Sequence, residues 1–299
     1  MKIVNIIGGL GNQMFQYAFA VSLKAKFPKE EIFLDIQHFN VLFVKNFKGR
    51  NVHYGFELDK ILQEVALPVA NKFILRKVTR YIPNYWLSRI ARKLLPKKKT
   101  EFIDDNFGKF SPEVYYKEGD CYYEGYWQSA KYFTENKTLI KKSLRFKEFT
   151  DLTNVRLSKK MLSENSVAIH VRRGDYLQQS LYKNIATIEY YHKSIQMIKS
   201  IINEPIFYVF SNDLEWCKEN MQPLLEGYEI TYLSHNKGNE SFRDIMLMCC
   251  CKGMIIANSS FSWWAAFLNE RDDNVICAPK KWINMHGAED IQDSSWILI

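Results

Sequence analysis

The sequence predicts an α/β protein built on parallel sheets, and three observations carry that reading. The chain opens with an apolar strand candidate, Lys2–Ile7, a glycine turn, and a helical pattern over Met14–Phe27 that sets Phe15, Ala18, Phe19 and Leu23 on one face. The second half alternates five strand candidates with four helical patterns, the order expected of a sheet covered by helices on both faces. Polar and charged residues gather directly after the strand candidates, where open α/β sheets bind ligands. At 299 residues the chain is long for one core and comfortable for two units. The boundary is expected in the polar 147–165 stretch, giving units 1–155 and 156–299.

The opening unit sets Gly8-Gly9-Leu10-Gly11-Asn12-Gln13 between strand and helix. Such a turn lets backbone approach a ligand closely, and the helix start offers unpaired N–H groups. Met14 stands where a dinucleotide fingerprint has its third glycine, and no GxxxxGK[ST] occurs, which disfavours an NAD or ATP site of the usual kind. Glu31–Ile36 reads as a second strand.

Net charge is +8, but ten Lys/Arg and no Asp/Glu fall between Asn71 and Lys99. The remaining 31 basic residues are balanced by 33 acidic ones, so the excess is one local patch rather than a nucleic-acid footprint. Phe73, Ile74, Val78, Ile82, Trp86, Leu87, Ile90 and Leu94 are set among the basic residues, with Pro83 interrupting them. Short amphipathic helices of this kind suit an anionic membrane surface, and equally a solvated face packed on its own domain.

Glu124-Gly125-Tyr126-Trp127-Gln128-Ser129, with Tyr132 and Phe133, is an aromatic cluster in a polar setting. Aromatic faces beside amides and carboxylates suit sugar rings; packing inside the protein is the other reading. A helix is expected over Ser129–Leu144.

In the second half the strand candidates are Val167–Arg172, Ile206–Phe210, Tyr228–Leu233, Gly253–Ala257 and Val275–Ala278. Helical patterns cover Ile188–Ile202, Leu214–Leu225, Ser241–Lys252 and Ser262–Asn269. The first of these strands ends in Arg172-Arg173-Gly174-Asp175, and two adjacent guanidiniums offer the fork-shaped donors a diphosphate needs. A salt-bridged loop is the alternative. Ser211-Asn212-Asp213 and Asn258-Ser259-Ser260-Phe261 follow two further strands and are expected to line the same cleft. Ser259 and Ser260 stand at a helix start, where they either hold phosphate oxygens or serve as simple N-caps.

Six cysteines form no disulfide framework, and Cys249, Cys250 and Cys251 are contiguous, so they read as small apolar fillers in a reducing compartment. No signal peptide or transmembrane span is visible, and the chain is expected to be cytoplasmic.

Taken together, Gly8–Ala18, His170-Val171-Arg172-Arg173-Gly174-Asp175-Tyr176, Ser211-Asn212-Asp213-x-x-Trp216 and Asn258-Ser259-Ser260-Phe261-Ser262-Trp263-Trp264 resemble the α-1,2-fucosyltransferases of glycosyltransferase family 11. Gly125–Ser129 is a further element of the likeness. The resemblance implies a GT-B architecture, two Rossmann-like domains facing each other across a cleft. The first would be the acceptor-side domain and the second would bind GDP-β-L-fucose. It further implies inverting, metal-independent transfer to O2 of a β-galactoside, with no cofactor, and the sequence holds no D-x-D pair of the kind that anchors a divalent cation.

Carried over residue by residue, Arg172 resembles the arginine that holds the β-phosphate, with Arg173 in support and His170 beside guanine and ribose. Asp244, 16 positions before Ser260, resembles the guanine-binding aspartate; an ion pair with Arg243 or Lys252 is the alternative. Ser259, Ser260 and Phe261 would flank the phosphates and fucose. Asn12 would touch the fucose or the acceptor from the other domain, where Gly11, Glu124, Tyr126, Trp127 and Gln128 make up the acceptor side. The general base is left open between Asp175, which could instead orient Arg172 or Arg173, and Glu124. Two other functions remain compatible: a GDP-fucose enzyme of another linkage or acceptor, and a catalytically silent glycan- or nucleotide-binding protein. A bacterial-type enzyme would modify oligosaccharides or lipid-linked precursors, with the 71–99 segment as a peripheral contact at the inner membrane face.

Overall fold

Two parallel sheets organise the chain. The computed structural model describes residues 1–40, 54–82, 87, 90–91, 94–104 and 107–299, apart from the side chains of residues 40 and 175. Contacts divide it into Met1–Lys147 and Glu148–Ile299.

In the first unit, strands β1 (Lys2–Asn5), β2 (Ile32–Asp35), β3 (Glu101–Ile103) and β4 (Cys121–Glu124) lie in the order β2-β1-β4-β3, all parallel. Helix α1 (Leu10–Lys26) follows β1 and begins four residues before the expected Met14, so Gly11 and Asn12 belong to its first turn. Gly8 makes the turn itself at φ +82°, a conformation that suits glycine, and a Cβ there would lie 2.9 Å from the Asn12 side chain. Strand β4 is too short for alternation to reveal it; its neighbours β1 and β3 define it.

The basic segment is partly folded onto this unit. Helix α2 (Leu58–Ile61) precedes it, and α3 (Lys72–Val78) is capped by Asn71, whose side chain accepts from the N–H groups of Phe73 and Ile74. Leu75 and Val78 join Ile3, Phe33, Ala70 and Tyr122 in the core. Arg80 and Glu101 form a buried ion pair at 2.6 Å. Burial works against the Glu101 carboxylate, but hydrogen bonds from Thr79, Arg80 and Lys98 outweigh it and hold the group below its ordinary range. Phe73, Ile90, Leu94 and Leu95 remain exposed. Pro83 and Trp86 lie outside the described residues. Where Ser129–Leu144 was expected to be one helix, two 3-10 turns precede a short helix, Lys137–Ser143.

The second unit holds a six-stranded parallel sheet, β10-β9-β8-β5-β6-β7. Its strands are β5 (Ser166–Val171), β6 (Ile206–Ser211), β7 (Ile230–Leu233), β8 (Gly253–Ile255), β9 (Val275–Ala278) and β10 (Ile297–Leu298). The helices between them occupy Ile188–Ile201, Leu214–Met221, Phe242–Cys249 and Ser260–Leu268, capped at three starts by Thr187, Asp213 and Ser259. The unit begins earlier than residue 156 because the helix Leu152–Ser163 belongs to it. Asp151, the N-cap of that helix, pairs with Arg243 at 2.9 Å, and Asn154 bonds the Asn236 side chain. Both units are Rossmann-like α/β layers, each built on a parallel sheet. All six cysteines are free thiols, four of them buried. Among the described residues no helix is long and apolar enough to cross a membrane.

Candidate functional site

Open parallel sheets bind ligands outside the carboxyl ends of the strands, at the place where connections leave in opposite directions. In the second unit that point lies between β5 and β8, the central strands from which β6-β7 and β9-β10 run outward. His170 to Arg173 and Ala257 to Ser262 emerge at it.

His170 is the last residue but one of β5 and is buried. Its Nδ1 lies 2.8 Å from the Ser262 hydroxyl, its carbonyl accepts from the Tyr191 hydroxyl, and its ring is 5.6 Å from that of Phe261. Burial, followed by the nearby Arg172 charge, lowers its pKa to about 3, so the ring is neutral throughout the physiological range. It therefore fastens β5 to the helix Ser260–Leu268 and adds no positive charge. Ser259 spends an oxygen lone pair on the N–H of Phe261, so the N-cap reading of this residue is realised, while its hydroxyl proton is still available to a ligand. Ser260 and Phe261 are half-buried in the first turn.

The two arginines differ in their surroundings. Arg173 donates from Nε to Asp213 at 3.1 Å, its guanidinium lies 4.0 Å from the Trp216 ring, and its N–H donates to Asn212. Gly174 sits at φ +53°, and a Cβ there would come within 2.6 Å of the Asn212 amide. The loop after β5 is thus tied to the loop after β6, and Asp213 braces Arg173. Arg172 is half-buried, with its guanidinium 5.4 Å from the Tyr176 ring. The Asp175 side chain lies outside the described residues.

Asp244 is on the helix Phe242–Cys249 and accepts from the Asn236 amide at 2.8 Å. The expected alternatives are taken by other partners: Arg243 pairs with Asp151 and Glu240, and Lys252 with Asp273. Burial pushes the Asp244 carboxyl from 3.8 up to about 7, against the Asn236 hydrogen bond. A carboxyl raised in this way contributes most stability when both states are protonated. That contribution is lost as pH climbs from about 4 through 7.

In the first unit the carboxyl ends of the adjacent parallel strands β1 and β4 lie side by side. A set of side-chain amides gathers there. Gln128 donates to Asn12 at 2.6 Å; Gln16 accepts from Ile7 and donates to the Gly125 carbonyl. Gln13 donates to the carbonyls of Gly8 and Gly55 and accepts from the N–H of Glu57. Sequence reasoning placed Asn12 and Gln128 here but missed Gln13, Gln16 and the 55–57 segment; an amide facing its own turn leaves no periodic trace. Glu124 and Tyr126 are half-buried, and Tyr126 meets Phe107 edge to face.

Trp127 corrects the expected acceptor platform. Its indole is 1% exposed, stacks on Phe19 at 4.5 Å and 8°, and is edged by Tyr123 and Tyr132. Both faces are committed to the core, so the ring is not available to a sugar. Gly11, buried in α1, also presents no surface.

Comparison with known proteins agrees with these strand-end motifs. The sequence profile described as glycosyl transferase family 11 matches residues 1–299. An Escherichia coli protein named alpha-1,2-colitosyltransferase is 33% identical over 298 residues, covering 94% of this chain and 91% of that one. The O-antigen biosynthesis glycosyltransferase WbnK of Escherichia coli is 30% identical over 307 residues, covering 97% of each. Human galactoside alpha-(1,2)-fucosyltransferase 1 is 32% identical over 105 residues, 34% of this chain and 28% of its own.

Proposed function

The chain belongs to glycosyl transferase family 11, and from that premise we propose that it transfers L-fucose from GDP-β-L-fucose to O2 of a terminal β-galactoside. The reaction inverts the anomeric centre and needs no metal ion. The observation that carries this reading is the second unit's switch point. There Arg172, the serine-rich start of the helix Ser260–Leu268 and the neutral His170–Ser262 pair emerge together from β5 and β8. As the sugar becomes oxocarbenium-like, negative charge gathers on the leaving diphosphate; Arg172 and the helix N-terminus are the groups that answer it. Arg173 supports them with charge from its braced position. Asp244 would accept from N1–H and the exocyclic amine of guanine. The first unit, with Asn12, Gln128, Tyr126 and Glu124 at the carboxyl ends of β1 and β4, would take the acceptor, a bacterial surface glycan or its precursor.

One second reading is favoured by the relative named for colitosyl transfer, because colitose is fucose without its 3-hydroxyl. The test is to offer GDP-fucose and GDP-colitose in turn, with lactose and other β-galactosides, in EDTA, and to determine the linkage by NMR. An α-1,2-fucosylated product at undiminished rate is expected. A site that hydrogen-bonds the 3-hydroxyl should disfavour the deoxy donor by orders of magnitude. Turnover of GDP-colitose alone, or dependence on an added divalent ion, would sink the corresponding part of the proposal. GDP binding without transfer to any acceptor would mark a silent binder.

Donor binding should also depend on pH. Guanine's two donors need the ionised Asp244, so GDP affinity is expected to rise about tenfold from pH 6 to pH 8, as one proton is released on binding. Calorimetry on the wild type and on Asp244→Asn checks this; the variant should bind weakly with a flat profile. A flat wild-type profile would remove Asp244 from the guanine site.

The 71–99 segment is proposed as a peripheral contact with anionic membrane. Exposed Phe73, Ile90, Leu94 and Leu95 are accompanied by basic residues with no carboxylate in the segment. Flotation with anionic but not with neutral vesicles is the expected result, and equal recovery with both would count against it.

A further inference from the structure

We propose that Asn236 determines donor specificity by positioning Asp244: it orients the carboxylate so that guanine is preferred to a base lacking the exocyclic amine. This role rests on the reading of Asp244 as the guanine acceptor, and every residue in it belongs to the second unit. Asn236 stands three positions beyond the carboxyl end of β7, and Asp244 lies in the first turn of the helix that follows, at the end of the sheet where ligands bind. That helix packs against Ser260–Leu268, whose serine-rich start is the phosphate end in the transfer reading.

The polarity of the Asn236 amide is fixed by a chain of partners. Asp151 caps the helix Leu152–Ser163 and, as a carboxylate, only accepts, so the Asn154 atom 2.9 Å from its Oδ2 is Nδ2. Asn154 Nδ2 also donates to Asn236 Oδ1 at 2.9 Å, and Asn154 Oδ1 accepts from Asn236 Nδ2 at 3.0 Å. His235 Nε2, 2.9 Å from the same Asn154 oxygen, is therefore a donor. The second N–H of Asn236 is left to point out of the pair, and it donates to Asp244 Oδ1 at 2.8 Å. Asn154 and Asn236 are 1% and 9% exposed, so neither amide can turn over without leaving a buried polar group unmatched.

A carboxylate offers about four acceptor positions. Asn236 occupies one on Oδ1, and guanine's N1–H and exocyclic amine call on one from each oxygen. Two parallel donors are matched only when the carboxylate lies in the plane of the base, and the bond from Asn236 restrains the last side-chain torsion that would spoil the match. The adjacent Arg243 is engaged elsewhere, with Asp151 at 2.9 Å and Glu240 at 2.8 Å. Without its brace, Asp244 could still meet N1–H through one oxygen. It would then read one donor where the braced group reads two.

The experiment compares GDP with inosine diphosphate, whose base keeps N1–H and lacks the exocyclic amine, by calorimetric titration at pH 8, above the Asp244 value of about 7. The wild type should prefer GDP about tenfold or more. In Asn236→Ala the preference should fall to about twofold or less, mainly through weaker GDP binding, while inorganic pyrophosphate, which takes only the phosphate end, binds within about twofold of wild type. Asn236→Ser, whose hydroxyl can still serve Asn154 but is shorter than the amide that reaches Asp244, should behave alike. Asp244→Ala should show the same low preference, and combining it with Asn236→Ala should lower GDP affinity no further. A preference retained in either Asn236 variant, with both nucleotides weakened alike or not at all, would overturn the proposal. Loss of pyrophosphate binding in both variants would make Asn236 structural and overturn it too. A wild type that binds GDP and inosine diphosphate alike would instead remove Asp244 from the guanine site, and the role of Asn236 with it.

Discussion

Replacing Arg172 with alanine is expected to lower kcat about 10²-fold or more, with the fold and the thermal transition unchanged. The reason lies in where charge develops. In the ground state the diphosphate is already anionic, but breaking its bond to the sugar adds a further negative charge to the β-phosphate, and a fixed guanidinium answers that increment without reorganising. The loss should therefore appear mainly in kcat rather than in KM for the donor. The two neighbouring arginines are distinguishable on this scale. Arg173 is already paired with Asp213 and stacked on Trp216, so much of its charge is spent on joining two loops. Arg173→Ala should disturb that junction and raise KM as well. Arg172→Lys tests the geometry, because an ammonium keeps the charge but cannot present two parallel donors. Steady-state kinetics on the three variants decides the matter, and near-normal kcat in Arg172→Ala would mean that another group carries the leaving-group charge.

Trp127→Ala should destabilise the first unit by about 3–5 kcal/mol, the usual cost of removing a large aromatic side chain from a packed core. That is a large share of the stability of an ordinary domain, which is about 5–15 kcal/mol. The indole touches Phe19 face to face and Tyr123 and Tyr132 edge to face, contacts that add to its burial. It also sits at φ +52°, where an alanine Cβ is no more comfortable. Its indole nitrogen is buried without a hydrogen-bond partner. Trp127→Phe removes that unpaired donor along with some volume, so it should cost far less than the alanine change. Denaturant unfolding of the first unit's transition reads both effects. If Trp127 were instead a sugar platform, Trp127→Phe would raise acceptor KM and leave the unfolding midpoint in place.

These two residues mark the difference between what local patterns carry and what they do not. Arg172 was legible because it follows an apolar β-branched run, and a strand's end is visible from the chain alone. Trp127 was misread because glycine, tyrosine, tryptophan and glutamine in succession look the same whether the ring meets a ligand or Phe19, more than 100 positions away in the chain. Strand β4 escaped for a related reason. Its four residues gain their strand identity from pairing with β1 and β3, and no periodicity of their own announces it. The boundary near residue 148 likewise depends on Asp151 finding Arg243, a partner the polar linker does not reveal.

By itself the sequence determined the α/β class, the two-unit plan, the strand-end positions of His170, Arg172, Ser259 and Ser260, and the family likeness. All of these follow from order and spacing along the chain. Only the tertiary structure decided that Asp213 braces Arg173, that His170 is neutral against Ser262, that Asp244 is partnered by Asn236, that Trp127 is core, and that Gln13 holds Glu57 at the glycine turn. The physical reason is common to them. A hydrogen bond, an ion pair or a buried carboxyl is defined by which groups packing brings together, and by how much water packing takes away, across separations that no local pattern spans.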